Sequence, residues 1–273
     1  MNRMEYLKTI NSDEISFMRI LKAVKRRVLD IPHKITWSLP FRFQKNNILK
    51  LMALKDSQKG KRCFIIANGP SIRDMDLSVL KDEVTIGMNR IYLLKEKIGF
   101  LPTYLVVNDV ALTLKQFPEE LANVESIKLY LWNGRKYFKS KKDIIYFKQI
   151  FKVHFSDDFS HAIYGGHSVT YACLQLASYL GCEEVILIGK DHSYMQRGIP
   201  GKTLVSTGKE NNHFISGYYK KGMKWEIPDY KGEELAYKMA KTNFEKKGKK
   251  ILDATVNGKL NIFDKIDFDS LFK

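Results

Sequence analysis

No run of about 18 apolar residues occurs in the 273-residue chain, so no transmembrane helix is expected. The first thirty residues mix Glu5, Asp13 and Glu14 with cations, which is unlike a secretory leader. Cysteine is scarce: Cys63, Cys173 and Cys182 form no CxxC and have no histidine at ligand spacing. That pattern argues against a disulfide framework and a zinc site, and fits a reducing compartment. Neither GxGxxG nor GK[ST] is present, so the NAD and ATP fingerprints are missing. A cytoplasmic chain with no metal site is the expectation.

Acidic residues are also in deficit: 46 Lys and Arg against 30 Asp and Glu give a net charge of +16. The surplus is uneven, since residues 1–62 hold 15 cations and 5 acids and so carry +10. Such a field attracts any polyanion without specifying which. The sequence therefore divides into a basic amphipathic extension, 1–60, and a larger domain, 61–273.

In the extension, Asn11 and Glu14 have capping-box spacing, and Phe17, Leu21, Val24 and Val28 fall on one helical stripe among Arg19, Lys22, Lys25, Arg26 and Arg27. Ile31-Pro32 comes next. Then come Trp37, Pro40, Phe41 and Phe43, interleaved with Lys34, Arg42 and Lys45. A helix packed on the domain and a peripheral contact with an anionic membrane, at the inner face of the cell membrane, both satisfy this pattern.

From Lys61 the texture changes to short β-rich runs with helical spacing between them: 63–67, 84–86, 104–107, 127–131 and 185–188. This predicts an α/β domain of Rossmann-like type around a mainly parallel sheet. Ser168 to Leu180 reads as a buried helix, about 233–246 as another, and Ile251-Leu252 as a closing strand. Residues 195–232, rich in glycine and aromatics, read as a lid.

The first strand runs into Asn68-Gly69-Pro70-Ser71, where Gly69 permits a tight turn, Pro70 fixes φ and Ser71 can cap the next helix. Asn89 and Asn108-Asp109 end the next two strands. In doubly wound sheets ligands sit beyond the carboxyl ends of strands, so these groups should converge, and amides suit the polar edges of a nucleoside or sugar. Gly165-Gly166-His167-Ser168 opens the buried helix, a place that favours an anion. Lys190-Asp191-His192-Ser193-Tyr194 ends the fifth strand, with Asp191 placed to accept from hydroxyl or amino groups. In the lid, His213 is a histidine able to act as a base, while Tyr218, Tyr219, Lys220 and Lys221 can hold a leaving phosphate.

Taken in order, Asn68-Gly69-Pro70-Ser71, Asn89, Asn108, the Gly/Ser turn, Leu180-Gly181, Gly189-Lys190-Asp191 and Asn212-His213-Phe214-Ile215 resemble the stations of glycosyltransferase family 42 sialyltransferases over roughly residues 62–216. The resemblance implies a variant of the GT-A-like fold with a lid and transfer of sialic acid or a related nonulosonic acid from a CMP-activated donor to a surface glycan, in bacterial polysaccharide biosynthesis. It implies no cofactor and no metal, His213 as base, and donor contacts from Asn68, Asn89, Asn108 and Ser168; Gly69, Ser71, Gly166, Asp191 and Tyr194 complete the expected donor site. Tyr194 stands one residue later than that family's phosphate-contacting tyrosine. The chain is also similar to the broader motility accessory factor and 6-hydroxymethylpterin pyrophosphokinase-like group. Some of its members transfer diphosphate from ATP, a chemistry that needs magnesium and carboxylates, for which Asp109 and Asp191 are available. A non-enzymatic polyanion-binding protein is the third reading, although no nucleic-acid motif is visible and nucleic acid is not expected. A homo-oligomer is compatible with everything above. His167 and His192 are the next candidates for the base.

Overall fold

The computed structural model describes residues 17–139, 143–152, 154–194 and 198–273. The Asn11/Glu14 capping box and the first residues of the lid, 195–197, lie outside them. Two compact units divide the chain, one up to Asn46 and one from Asn47 to Lys273.

In the first unit, α1 runs from Phe17 to Ser38 and passes straight through Pro32, a residue that would ordinarily break or kink a helix. One backbone donor is forgone there. The next turn is reinforced from within, because the Thr36 hydroxyl donates to the Pro32 carbonyl at 2.8 Å. Leu21, Val24 and Val28 are exposed, while Trp37 is buried and so does not share the exposure of Phe41 and Phe43.

The next helix, α2 (Arg42–Ala53), crosses the boundary. The expected boundary at 60/61 moves forward because Asn47 exchanges two hydrogen bonds of 2.7 Å with the Tyr146 backbone and Leu51 is wholly buried.

The second unit is built on strands β1 (Arg62–Ile66), β2 (Val84–Met88), β3 (Tyr104–Val107), β4 (Ile127–Leu131), β5 (Ile144–Phe147), β6 (Gln149–Ile150), β7 (Ile163–Tyr164), β8 (Glu184–Ile188), β9 (Thr203–Val205), β10 (Lys224–Glu226), β11 (Lys250–Asp253) and β12 (Asp264–Lys265). Eight of them form one sheet in the order β12-β11-β8-β1-β2-β3-β4-β5, and every pairing in it is parallel. Its central strands are apolar on both faces because both faces are covered, and Phe64, Ile65, Ile66, Leu105 and Leu187 have no exposure.

Helix α3 (Val169–Tyr179) packs on β1, β2 and β3 and against α4 (Tyr230–Lys246). All its residues from Thr170 to Tyr179 are buried, consistent with its nearly uncharged sequence. Gln175, wholly buried within it, accepts from Ser156 N and Tyr164 N and so fixes the approach to the Gly165-Gly166 turn.

The lid is not structureless, since β9 and β10 pair antiparallel within it. Helix α4 also begins earlier than expected, at Tyr230, because Asp229 caps it by accepting from Gly232 N at 3.0 Å. Among the described residues, no helix is long and apolar enough to cross a membrane.

Candidate active site

The chain lays down β1 to β5 on one side of the sheet, then crosses to place β8, β11 and β12 on the other. The direction reverses between β1 and β8. That is the switch point where doubly wound sheets leave a crevice beyond the carboxyl ends of their strands, and the structure has a cleft of about 250 Å³ there. The volume lies just below the roughly 300–1,000 Å³ of typical small-molecule sites, which sizes it for one moiety of a larger ligand.

The floor of the cleft is the junction of two turns. Gly69 N donates to the Gly189 carbonyl at 2.9 Å, and a Cβ at Gly69 would fall 1.8 Å from an Asp191 carboxylate oxygen. Glycine is required by that approach. The Asp191 carboxylate accepts from Ser71 N at 3.0 Å and Ser71 Oγ at 2.8 Å. Ser71 and Asp191 therefore clamp the floor, and Asp191, expected to face a ligand, lines the cleft with its carboxylate already engaged by Ser71. Burial raises the Asp191 pKa, against the lowering effect of the Ser71 bonds.

Asn68 and Asn89 line the cleft, as does Asp109. Asn68 Nδ2 donates to the Met88 carbonyl at 3.1 Å, and the Oδ1 atoms of Asn68 and Asn89 are both buried without a hydrogen-bond partner. Asn108 is turned away, donating to Gln149 on β6 at 3.1 Å. The expected convergence of three asparagines is thus a convergence of two. Gly166 serves packing, since a Cβ there would lie 2.3 Å from the Tyr171 ring and 2.7 Å from Ala236.

Ser168 occupies the N-cap position of α3, but no side chain caps this helix. Its hydroxyl is 2.7 Å from the Tyr237 hydroxyl instead. His167, Ser168, Val169 and Thr170 line the cleft, so the amide end of an 11-residue helix faces it.

Opposite stands a polar cluster that sequence reasoning missed. Lys190 Nζ lies 2.7 Å from the buried Glu233 carboxylate, and His192 Nε2 lies 3.1 Å from Glu234. Burial alone would lower the Lys190 pKa, but Glu233 outweighs it and raises it. His192 is lowered by burial and by Lys190, against the raising pull of Glu234 and Glu233. At the rim, His167 Nδ1 lies 3.2 Å from Asp229 Oδ2, while Asp229 Oδ1 caps α4. The His167 ring lies close over Gly232, where a Cβ would come within 2.8 Å of its atoms.

His213, the lid histidine expected as base, lines the cleft and is buried there. Its ring stacks on Tyr218 at 3.9 Å between centroids, with only 5% of the residue exposed. Nε2 is 3.3 Å from the Tyr194 hydroxyl, and Nδ1 has no hydrogen-bond partner. Burial, then the Arg90 charge, lowers its pKa to about 3.

Burial also raises the Tyr194 pKa. Tyr219 lines the cleft. Tyr218 does not: it lies beneath His213, and its hydroxyl accepts from Arg90 N at 3.3 Å. The lid is tied down here, because Phe214 N donates to the Asn68 carbonyl at 3.0 Å and Arg73 donates to the carbonyls of His213 and Phe214.

Asn89, His167 and His192 all adopt positive φ, between 51° and 62°. Such backbone is uncommon outside glycine and clusters at functional sites.

A doubly wound α/β protein with a ligand cleft at its switch point is what the fold and this geometry define. The family model for 6-hydroxymethylpterin diphosphokinase MptE-like proteins matches residues 42–197, more than half of the chain, and the chain belongs to that family. Among solved structures, the MAf glycosyltransferase from Magnetospirillum magneticum AMB-1 is similar at a TM-score of 0.50 and 13% identity, over 83% of this chain and 38% of that one. This chain thus spans well under half of that protein's length, and the likeness is one of fold. No curated protein matches in sequence.

Proposed function

We propose that the cleft binds a CMP-activated nonulosonic acid, sialic or related, and transfers the sugar to a hydroxyl of a glycan acceptor. The observation that carries this reading is the set of buried polar atoms without hydrogen-bond partners around one cleft: Asn68 Oδ1, Asn89 Oδ1, His192 Nδ1 and His213 Nδ1. An unmade buried hydrogen bond costs about 1–3 kcal/mol, so such atoms are normally paired unless a ligand completes them. Two carbonyl oxygens call for amino or hydroxyl donors, which a nucleoside and a sugar both present. The uncapped amide end of α3 favours the ligand's phosphate or carboxylate.

For the acceptor hydroxyl we assign the base to His167. His167 lines the cleft, and its Nδ1 lies 3.2 Å from the carboxylate of Asp229, which is itself locked by capping α4; a carboxylate so placed orients a histidine base. A base works best with a pKa near the operating pH. His213, at about 3, is poorly matched to that duty and serves as a neutral hydrogen-bonding wall.

The family name favours a second reading, diphosphate transfer from ATP to a pterin, which requires magnesium. The residues present fit that ion poorly. Asp191 is engaged by Ser71, Asp109 caps the following turn through Leu112 N, and Glu233 is paired with Lys190. Among the described residues, no group of three or more His, Cys, Asp and Glu is placed to hold a metal.

A thermal-shift series decides between the readings, since a ligand at about 100 times its Kd adds about 2.7 kcal/mol to the native state. CMP and CDP are expected to raise Tm, and a CMP-sugar to release CMP in the presence of acceptor. Stabilisation by ATP, magnesium and a pterin, with none by CMP, would overturn the proposal in favour of the diphosphotransferase.

A further inference from the structure

The first unit presents the reverse of a folded core. Leu21, Val24, Val28, Ile31 and Ile35 recur three and four residues apart, so they share one stripe of α1, and each is between 45% and 57% exposed. Leu39, Phe41 and Phe43 continue the exposed apolar surface beyond the helix. At about 100° per residue, Lys25 and Arg27 flank the stripe on its two sides, and both are exposed, as are Arg42 and Lys45 beside the two phenylalanines. Residues 17–46 contain eight Lys and Arg and a single acid, Asp30, which sits 3.3 Å from Lys34.

Two occupants suit an exposed stripe of this spacing: an identical helix, in a coiled-coil seam, and a lipid surface. The charge decides between them. Seams are stabilised by opposite charges on the positions flanking the stripe, and here those positions carry Lys25, Arg27 and Lys34 and no acid, the Asp30 that pairs with Lys34 lying off the flanks. A second copy would bring cation against cation. An anionic bilayer instead complements the flanks, takes the apolar stripe below its headgroups and accommodates aromatics at headgroup level.

We propose that the segment from Leu21 to Lys45 is a binding surface for anionic lipid, with α1 lying in the plane of the headgroups. It anchors by two additive terms, apolar insertion and cation attraction, and neither alone gives stable attachment.

The test is co-sedimentation of the full chain with vesicles of phosphatidylcholine alone and of equimolar phosphatidylcholine and phosphatidylglycerol. Binding to the second but not the first, weakening as salt is raised, is expected. Val28→Asp with Ile35→Asp, and separately Lys25→Glu with Arg27→Glu, should each lower binding at least about tenfold, with Tm and far-UV circular dichroism unchanged. Equal binding to both vesicles, or retention by both double variants, would overturn the proposal. So would a dimer in solution that Val28→Asp with Ile35→Asp dissociates while no vesicle binds, which would give the stripe to a second copy. Because both double variants change the first unit alone, failure here leaves the reading of the cleft standing, and the reverse holds too.

Discussion

In the first unit, leucine, valine and isoleucine side chains lie more than 40% exposed along α1; in the second, Ile65, Leu105 and Leu187 have no exposure. The second unit departs from the usual rule in the opposite sense, by burying amide and imidazole atoms without partners at the end of β1 and β8. Apolar groups left outside and polar groups left unpaired inside are both costly arrangements. Each marks a surface that something else completes. The difference lies in what completes it: a diffuse, anionic, partly apolar phase for α1, and a compact ligand rich in donors and negative charge for the cleft.

The largest effect that would sharpen this comparison lies in the cleft. His167→Ala is expected to slow sugar transfer by about 10²–10⁴-fold while CMP still binds, because the base acts on the acceptor. Asp229→Asn should lower the rate in the same direction. His213→Gln should stay within about tenfold of wild type. The rates come from CMP release under saturating donor. If His213→Gln stopped turnover and His167→Ala did not, the two histidines would exchange roles.

A smaller effect tests the buried state of His213 through stability. With a native pKa near 3 and an unfolded value near 6.5, the denatured chain takes up the proton first as pH falls. The stability is therefore fully present above about pH 6.5 and lost progressively toward pH 3, by about 1.4 kcal/mol per pH unit at most. Carboxylates titrate in the same range, so the readout is the difference between wild type and His213→Gln in urea midpoint. Wild type should lose more on acidification. Parallel profiles would mean that the ring is solvated in solution.

Smaller again is Asn89→Gly. Asn89 sits at φ 51°, which glycine adopts freely, so the backbone is kept and only the amide is removed. Binding of CMP should weaken by about 1–3 kcal/mol, by calorimetry. Stability of the free protein should change little, because loss of an unpartnered buried oxygen offsets the added chain entropy of about 0.5–1 kcal/mol. A variant with unchanged CMP affinity would take Asn89 out of the site.

Much of the fold could be read from the sequence. The runs at Cys63, Val84, Tyr104, Ile127 and Val185 are continuous apolar segments because their strands are buried on both faces, and such runs announce themselves. Ile144–Phe147 has the same composition and was missed beside Lys139, Lys141 and Lys142.

The cleft was legible only where it tracks the strand ends. Asn68, Asn89 and Asp191 are placed by the sheet, whereas the direction of each side chain is set by a partner remote in sequence: Ser71 for Asp191, Gln149 for Asn108. The pairs Lys190–Glu233 and His167–Asp229 join the β8 turn and the α3 turn to α4 across long sequence separations. No local pattern encodes them. Asp229 ahead of the helical run was the one available signal, as a cap.

The smallest expected effect belongs to the first unit. Ile35 is 55% exposed on α1, so truncation to alanine removes little buried area and leaves no cavity. Alanine is also the better helix former, since isoleucine loses rotamer freedom against the preceding turn. The two terms oppose each other, and Ile35→Ala should shift the urea midpoint by no more than about 0.5 kcal/mol in either direction. An isoleucine in a packed core behaves otherwise, with Ile→Ala costing about 2–5 kcal/mol, and Ile65 in β1 is the matched control. A loss above about 2 kcal/mol at Ile35 would place its side chain in a folded contact in solution. The stripe would then be internal packing, and its apolar surface would no longer be free to enter a bilayer.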